Sequence, residues 1–432
     1  MAETLELWFD FSCPYAYLAS RKAPAMAAAA GAELIWRPML LGGVFAGIGA
    51  GQGPMATLGA AKATHNARDM QRWAELLGVP LRVPAAHPMR TVRALRTLLA
   101  LPAARWPTAI DALYAAYWQR GDDITQDDVI LAALAEIPEA ASALARADDL
   151  EIKAELRART DEAIALGIFG APAWVVRRDR AIVPGPASLA TILIWGQDRM
   201  PWVDAVLAGW NPDAEPPPGG PRPIGFGAQG FHSPRSLELY FDVASPFAYF
   251  ALTQIAALGK LAGVTPKLHP ILLGALFRDI GQVDAPILEM TAAKQTYTQR
   301  ELVRWSNWWG VPFKWPVKFP QRTIAAQRLC LLAGDDPTLP LALARAIWAE
   351  QRDVSDPAVL ASVLASVGAP ESWLERTQDP AIKQQLIDEG VRAREAGAFG
   401  VPTFVVDGKH LVFGQDRMEL VMRMLGGWDP IA

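Results

Sequence analysis

Two short phrases in this chain put a small nucleophile or hydrogen-bonding group directly before a proline. They are Asp10-Phe11-Ser12-Cys13-Pro14-Tyr15 and Asp242-Val243-Ala244-Ser245-Pro246-Phe247. Proline is tolerated in the first turn of a helix because its missing N–H is not needed there. Cys13 and Ser245 are therefore expected at helix N-termini, where free N–H groups and the helix dipole favour negative charge. A cysteine so placed has a pKa below its usual value of about 8.5. A serine so placed can hydrogen-bond a thiolate supplied by a ligand. Either residue also serves as a plain N-cap. Three residues on, where a Cys-x-x-Cys redox pair would have its second thiol, stand Ala16 and Ala248. That disfavours a dithiol oxidoreductase.

A second pair of signals comes late in each half. Pro172 and Pro402 each follow Phe-Gly-x and precede an apolar run. A proline at that point invites a cis bond and leaves the backbone of Ala171 or Val401 open to an extended, peptide-like ligand. The plainer alternative is a trans proline at a strand start. Lys62 and Lys294 share a position and suit either an anionic substrate or a solvated helix surface. Trp305, Trp308 and Trp309 suit an apolar substrate or core packing. Cys330, within Leu329-Cys330-Leu331-Leu332, reads as core. Gly47, Gly49, Gly51 and Gly53 match neither a dinucleotide nor a P-loop fingerprint and read as a flexible loop. His87 and His269 correspond to Phe319 and Arg37 in the other half, so neither is a shared ligand or base.

What positions these groups is a tandem repeat. Leu5-Glu6-Leu7-Trp8-Phe9-Asp10 returns at an offset of 232 as Leu237-Glu238-Leu239-Tyr240-Phe241-Asp242. The same offset carries Leu40-Leu41-Gly42, Arg72-Trp73, Gly78-Val79-Pro80 and Arg90-Thr91 to their counterparts. Further on, Gln197-Asp198-Arg199-Met200 matches Gln415-Asp416-Arg417-Met418 at an offset of 218, so the first copy carries an insertion around Arg177 to Leu193. The repeats are too long for solenoid units. They read as two homologous domains, 1–212 and 235–432, joined by a Pro/Gly-rich linker, 213–234. That linker is long enough for the copies to pack on each other as an intramolecular pseudo-dimer.

The 432 residues are 51% hydrophobic and 20% charged, which excludes a disordered or fibrous protein. A net charge of −4 makes non-specific nucleic-acid binding a poor expectation. Two cysteines cannot build a disulfide framework and five scattered histidines do not suggest a metal site. Neither a signal peptide nor a membrane span is visible, and a cytoplasmic location is the expectation.

Alternation at Leu5, Leu7, Phe9 and at Leu237, Leu239, Phe241 predicts an opening strand in each copy. Helical runs follow over 15–30 and 247–262, then strands over 33–37 and 265–269. A long helix-rich stretch comes next, with starts expected at Thr125 and Ser355. Each copy closes strand, strand, helix, with Asp407-Gly408 as a hairpin signal. This order is α/β.

Taken together, Asp-Phe-x-Cys/Ser-Pro-Tyr/Phe-Ala-Tyr, Pro-x-Leu-Leu-Gly-x-x-Phe, Phe-Gly-x-Pro-x-x-Val-Val and Gly-Gln-Asp-Arg-Met resemble the 2-hydroxychromene-2-carboxylate isomerases and kappa-class glutathione transferases. The resemblance covers both copies. It implies two thioredoxin-like domains, each with a large helical insertion. It implies glutathione as cofactor, its sulfur facing Ser245, with Cys13 in the equivalent place. Its cysteinyl backbone would pair at Val401 before Pro402 and at Ala171 before Pro172. Its γ-glutamyl amino group would meet Asp416 and Asp198, helped by Gln415 and Gln197. Gln282 stands where the family often has an amide, while the first copy has Ala50; Arg90 and Arg322 stand near a family asparagine. The implied function is a glutathione-dependent isomerase or transferase acting on small conjugated electrophiles. A thiol redox protein using Cys13, or a non-catalytic glutathione-binding protein, are the alternatives.

Overall fold

In the computed structural model, which describes residues 3–51, 53, 58–178, 191–283 and 286–430, the alternating segments form the centres of two separate four-stranded sheets. The first holds β1 (Thr4–Phe9), β2 (Glu33–Pro38), β3 (Ala173–Arg177) and β4 (Thr191–Trp195) in the order β2-β1-β3-β4. The second holds β5 (Leu237–Phe241), β6 (Lys267–Pro270), β7 (Thr403–Val406) and β8 (His410–Phe413) in the order β6-β5-β7-β8. In each, the opening strand runs parallel to the next and antiparallel to the third, with Leu7 opposite Trp36 and Trp174, and Leu239 opposite Leu268 and Phe404. The parallel pair needs a helical crossover, whereas β7 and β8, antiparallel neighbours, are joined by a short hairpin turn. The helix-rich insertion lies between the second and third strands. Most of the insertion expected at 177–193 lies outside the described residues.

The two copies differ where their sequences give a reason. The run expected to be one helix over 15–30 is two, Pro14–Ser20 and Ala23–Ala30, because Pro24 opens the second and cannot continue the first. Ala256 occupies the matching place, and the second copy has one helix, Pro246–Ala262, of 17 residues. β6 starts two residues later than expected, just after Pro266, which has no N–H for the ladder. Two expected helix starts also shift. Thr125 and Ser355 bond back to Asp123 and Asp353, and Asp356 caps the helix Pro357–Ser366 by accepting from the Ala358 N–H at 2.8 Å.

Trp8, Trp118, Trp174, Trp202, Trp210 and Trp348 are fully buried, so large aromatic side chains fill both cores. Cys330 is core, as its sequence context suggested. The segment after 212 is tied down: the Asn307 amide donates to Pro212 O, the Arg222 N–H to Trp308 O, and the Ile224 N–H to the Gln254 side chain.

Candidate functional site

The turn after each opening strand is held by a buried carboxylate. Asp10 accepts from the Ser12 N–H (3.0 Å), the Leu41 N–H (2.8 Å) and the Thr91 hydroxyl (2.6 Å). Asp242 accepts from the Ala244 N–H, the Leu273 N–H and the Thr323 hydroxyl, each at 2.9 Å. Indole N–H groups complete the clamp, Trp118 on Phe11 O and Trp348 on Val243 O, both at 2.8 Å. A burial this complete is tolerated because the carboxylate oxygens are satisfied. The result is a rigid turn that delivers Cys13 and Ser245 to the N-caps of the following helices.

There the copies part. Ser245 is 5% exposed; its hydroxyl oxygen accepts from the Ala248 N–H at 3.3 Å and its proton points at Val401 O, 3.4 Å away. It stands at the head of the 17-residue helix. The Cys13 thiol donates to Ala171 O at 3.1 Å and heads a helix of only seven residues. Burial pushes that thiol up to about 12, the reverse of the lowering expected at a helix N-terminus. Desolvation of the thiolate outweighs the two backbone N–H groups aimed at it.

The Ala171–Pro172 and Val401–Pro402 bonds are cis, as expected, and so are His87–Pro88 and Phe319–Pro320. The loops before β3 and β7 reach the Cys13 and Ser245 turns through Ala171 O and Val401 O. Among the described residues, no hydrogen bond engages the Val401 or Ala171 N–H. Gly170 and Gly400 are required there, since a Cβ would sit 2.8 Å from the rings of Trp195 and Phe413.

The acids Asp198 and Asp416 follow Gly196 (φ 105°) and Gly414 (φ 100°). A Cβ on either glycine would overlap its aspartate Oδ1, so the glycines permit each carboxylate to fold back over the turn. Both acids join an ion network that crosses between the copies. Arg199 donates twice to Glu301 Oε1 (3.0 and 2.8 Å) and once to Asp416 Oδ2 (2.8 Å). Arg417 donates to both oxygens of Asp69 (2.9 and 3.1 Å), to Asp416 (3.0 Å) and to Asp198. The Arg199 guanidinium also lies over Trp202 and Trp305, at 5.3 and 5.0 Å. Burial works to raise the Asp416 carboxyl, but Arg417 and Arg199 outweigh it and hold it below the usual range. Glu301 goes the other way: burial, with Asp416 nearby, lifts it.

Each copy's long insertion helix, Ala60–Leu77 or Ala292–Trp309, also caps the other copy's last strand. His65 Nε2 accepts from the Phe413 N–H (3.1 Å), and the Tyr297 hydroxyl from the Trp195 N–H (2.8 Å). Arg72 donates to Leu411 O (2.8 Å) and Arg304 to Leu193 O (2.7 Å). Burial pushes the His65 imidazole down to about 4, which keeps it neutral and able to accept.

Cys13, Ser245, the residues before both prolines and both aspartates are thereby organised around the heads of the two opening helices. Gln415 and Gln197 are buried, and Gln197 Nε2 has no partner among the described residues. Gln282 is half-buried, its side chain without a hydrogen bond among those residues, while Arg90 and Arg322 are exposed. The neighbouring threonines, not the arginines, reach the turn. Sequence reasoning missed Asp69, Glu301, Arg199 and Arg417 as site residues. The signal was available in the repeated Asp-Arg phrase and in the shared spacing of positions 69 and 301. Trp305 and Trp308 pack on Trp202, at 4.7 and 6.2 Å, which is the core-packing alternative. Among the described residues, no group of three or more His, Cys, Asp or Glu side chains has a metal-binding arrangement. No described helix is long and apolar enough to cross a membrane.

Two stretches, residues 4–208 and 236–426, match the DSBA-like thioredoxin domain family. A rat protein named glutathione S-transferase kappa 1 is 28% identical over 211 residues, covering 45% of this chain and 92% of that one. A Pseudomonas putida 2-hydroxychromene-2-carboxylate isomerase is 26% identical over 192 residues, covering 44% and 94%. A solved structure of a 2-hydroxychromene-2-carboxylate isomerase aligns with a TM-score of 0.40 and 23% identity, over 44% of this chain and 94% of that one.

Proposed function

The chain belongs to the DSBA-like thioredoxin domain family twice over, and from that premise we propose that it is a glutathione-dependent isomerase or transferase whose working site is the Ser245 copy. The two domains, 1–212 and 235–432, act as an intramolecular pseudo-dimer in a reducing, cytoplasmic setting. The observation that carries this reading is the Ser245 hydroxyl at the head of a 17-residue helix, its proton aimed at Val401 O, 3.4 Å away. A ligand sulfur entering beside that carbonyl would meet both the hydroxyl proton and the helix terminus.

The residues suit glutathione. Val401 has an N–H without a hydrogen bond among the described residues and a carbonyl for an extended cysteinyl backbone. Asp416, held ionised by Arg199 and Arg417, suits the γ-glutamyl ammonium, with Gln415 beside it. Gln282 is an amide without a hydrogen bond among the described residues. In the first copy Gln197 Nε2 is a buried donor without a partner among the described residues, between Asp198 and Gly196, whose N–H donates to Pro172 O. When bound, glutathione would supply a thiolate that adds reversibly to a conjugated carbonyl electrophile, giving an isomer on its departure or a conjugate on release of the adduct. Ser245 would donate a hydrogen bond to the sulfur and so favour its ionised form. The clamped turn, through Asp242 and Trp348, would hold that hydroxyl in place.

Cys13 offers little support for a redox role, because burial pushes its thiol to about 12 and a reactive cysteine needs the opposite shift. Calorimetric titration with glutathione tests the assignment. Wild type is expected to bind, and Asp416→Ala to lose about tenfold in affinity, the scale of one charge-assisted hydrogen bond. Asp198→Ala reports on the first copy in the same way. Equal affinity in wild type and Asp416→Ala would overturn the γ-glutamyl role.

A further inference from the structure

The two long insertion helices carry the same pair of arginines one turn apart, Arg68 and Arg72 on Ala60–Leu77, Arg300 and Arg304 on Ala292–Trp309. Residues four apart share one face of a helix, so each pair presents two guanidinium groups together. The inner arginine of each pair crosses the seam in the same way. Arg304 gives Nη1 to Leu193 O at 2.7 Å, and Arg72 gives Nη1 to Leu411 O at 2.8 Å. The copies differ at the other edge of the guanidinium, Nε and Nη2.

On Arg304 that edge clasps a carboxylate. Nε donates to Asp213 Oδ1 at 2.7 Å and Nη2 to Oδ2 at 3.4 Å, and Arg300 donates to Oδ2 as well. Such two-pronged pairs are the strong form of ion pair. The main chain that brings Asp213 is fixed to the helix, the Asn307 amide donating to Pro212 O at 2.9 Å.

Arg72 is as deeply buried, 1% exposed against 0% for Arg304, yet its Nε has no hydrogen-bond partner. Neither Arg68 nor Arg72 makes an ion pair among the described residues. The repeat carries Asp213 to Ile431, which has no carboxylate on its side chain and lies outside the described residues. It carries Asn307 to Glu75, which accepts from the Trp428 indole at 2.7 Å. The adjoining carboxylates are engaged. Asp69, one turn before Arg72, gives both oxygens to Arg417 (2.9 and 3.1 Å). Asp429 holds Lys409 at 2.9 Å and His410, the neighbour of Leu411, at 2.7 Å. A buried charge without a paired group is costly. Burial lowers the Arg72 guanidinium from its usual value, Asp69 opposing the effect and Arg68 adding to it.

We propose that Arg68 and Arg72 form a binding site for a small free carboxylate at the domain seam, held by Arg72 Nε and Nη2 and by Arg68 as Arg304 and Arg300 hold Asp213. With Arg72 buried and Arg68 exposed, the site suits a small ion rather than a folded partner. It is independent of the glutathione reading.

Acetate, which reproduces the Asp213 side chain, is the probe, exchanged for chloride at constant ionic strength, with the melting temperature as readout. Wild type is expected to show a saturable rise. Arg68→Gln and Arg72→Gln should each need about tenfold more acetate for half of that rise, and Arg68→Gln, at an exposed position, carries the test if Arg72→Gln does not fold. Asp213→Ala should melt below wild type without acetate and gain a larger saturable rise, because Arg300 and Arg304 then meet acetate too. No saturable rise in wild type, an acetate response in Arg68→Gln equal to that of wild type, or an Asp213→Ala response no larger than that of wild type overturns the site.

Discussion

Replacing Arg199 by methionine isolates the contribution of the ion network between the copies. The change keeps an apolar stem between Trp202 and Trp305 but removes two hydrogen bonds to Glu301, one to Asp416 and the ion pair with Asp198 at 2.9 Å. Breaking a buried pair by deleting one partner costs about 3–5 kcal/mol, because the remaining charge is left in a poor solvent. Loss of the contacts with two indole faces adds roughly 1 kcal/mol. Arg417 still holds Asp416 at 3.0 Å and also holds Asp198, so most of the penalty falls on Glu301. A total of about 4–6 kcal/mol is the expectation at pH 8.

The pH dependence has a definite sign. Burial already raises the Glu301 carboxyl in the folded state, and losing Arg199 raises it further. A carboxyl raised on folding destabilises at pH values above its folded pKa, and the penalty fades as pH falls through that value toward the unfolded one. The variant's deficit should therefore shrink between pH 8 and pH 5.5. Urea unfolding followed by tryptophan fluorescence measures it at both pH values. A deficit under about 1 kcal/mol at pH 8, or one that grows on acidification, would refute the assignment of Glu301 as a buried ion held by Arg199.

Two further outcomes follow from burial. Cys13, pushed up to about 12, should react with iodoacetamide at pH 8 at least about a hundredfold more slowly than a free thiol, and become fully reactive only on unfolding; mass spectrometry of the peptide containing residue 13 gives the rate, and a rate matching free cysteine would contradict the burial argument. His65, pushed down from 6.5 to about 4, is neutral when folded. Unfolding then takes up a proton below pH 6.5, so stability present above that value is lost as pH falls toward 4, by about 3 kcal/mol. That component should vanish in His65→Gln, and a pH profile parallel to wild type would show that the imidazole does not accept from the Phe413 N–H.

Much of the fold was legible because the repeat supplied two readings of every element. Alternation at Leu5, Leu7 and Phe9 found β1, and its recurrence found β5. Pro24 and Pro266 account for two of the element ends that were misjudged, since each proline acts on hydrogen bonds of its neighbours and not on its own apolar pattern. The turn residues Cys13 and Ser245 were visible from the prolines after them. Their opposite environments were not, because burial depends on what the insertion places overhead. The network of Asp69, Glu301, Arg199 and Arg417 was missed for a related reason. A charge pattern on one helix shows an exposed face equally well as a face laid against another domain, and only the packing distinguishes the two. Lys62 and Lys294 illustrate the same ambiguity on the same face.

The central claim is that Ser245 and its helix lower the pKa of a sulfhydryl carried by a ligand. Ultraviolet absorbance of thiolate, titrated against pH with glutathione bound to wild type, Ser245→Ala and Cys13→Ala, measures this directly. A shift from about 8.5 to about 6.5 needs roughly 2.7 kcal/mol, within reach of one charge-assisted hydrogen bond and a helix terminus. Wild type and Cys13→Ala are expected to show the lowered value at the second site, with Ser245→Ala at least about one unit higher. A titration curve unchanged by Ser245→Ala would contradict the account.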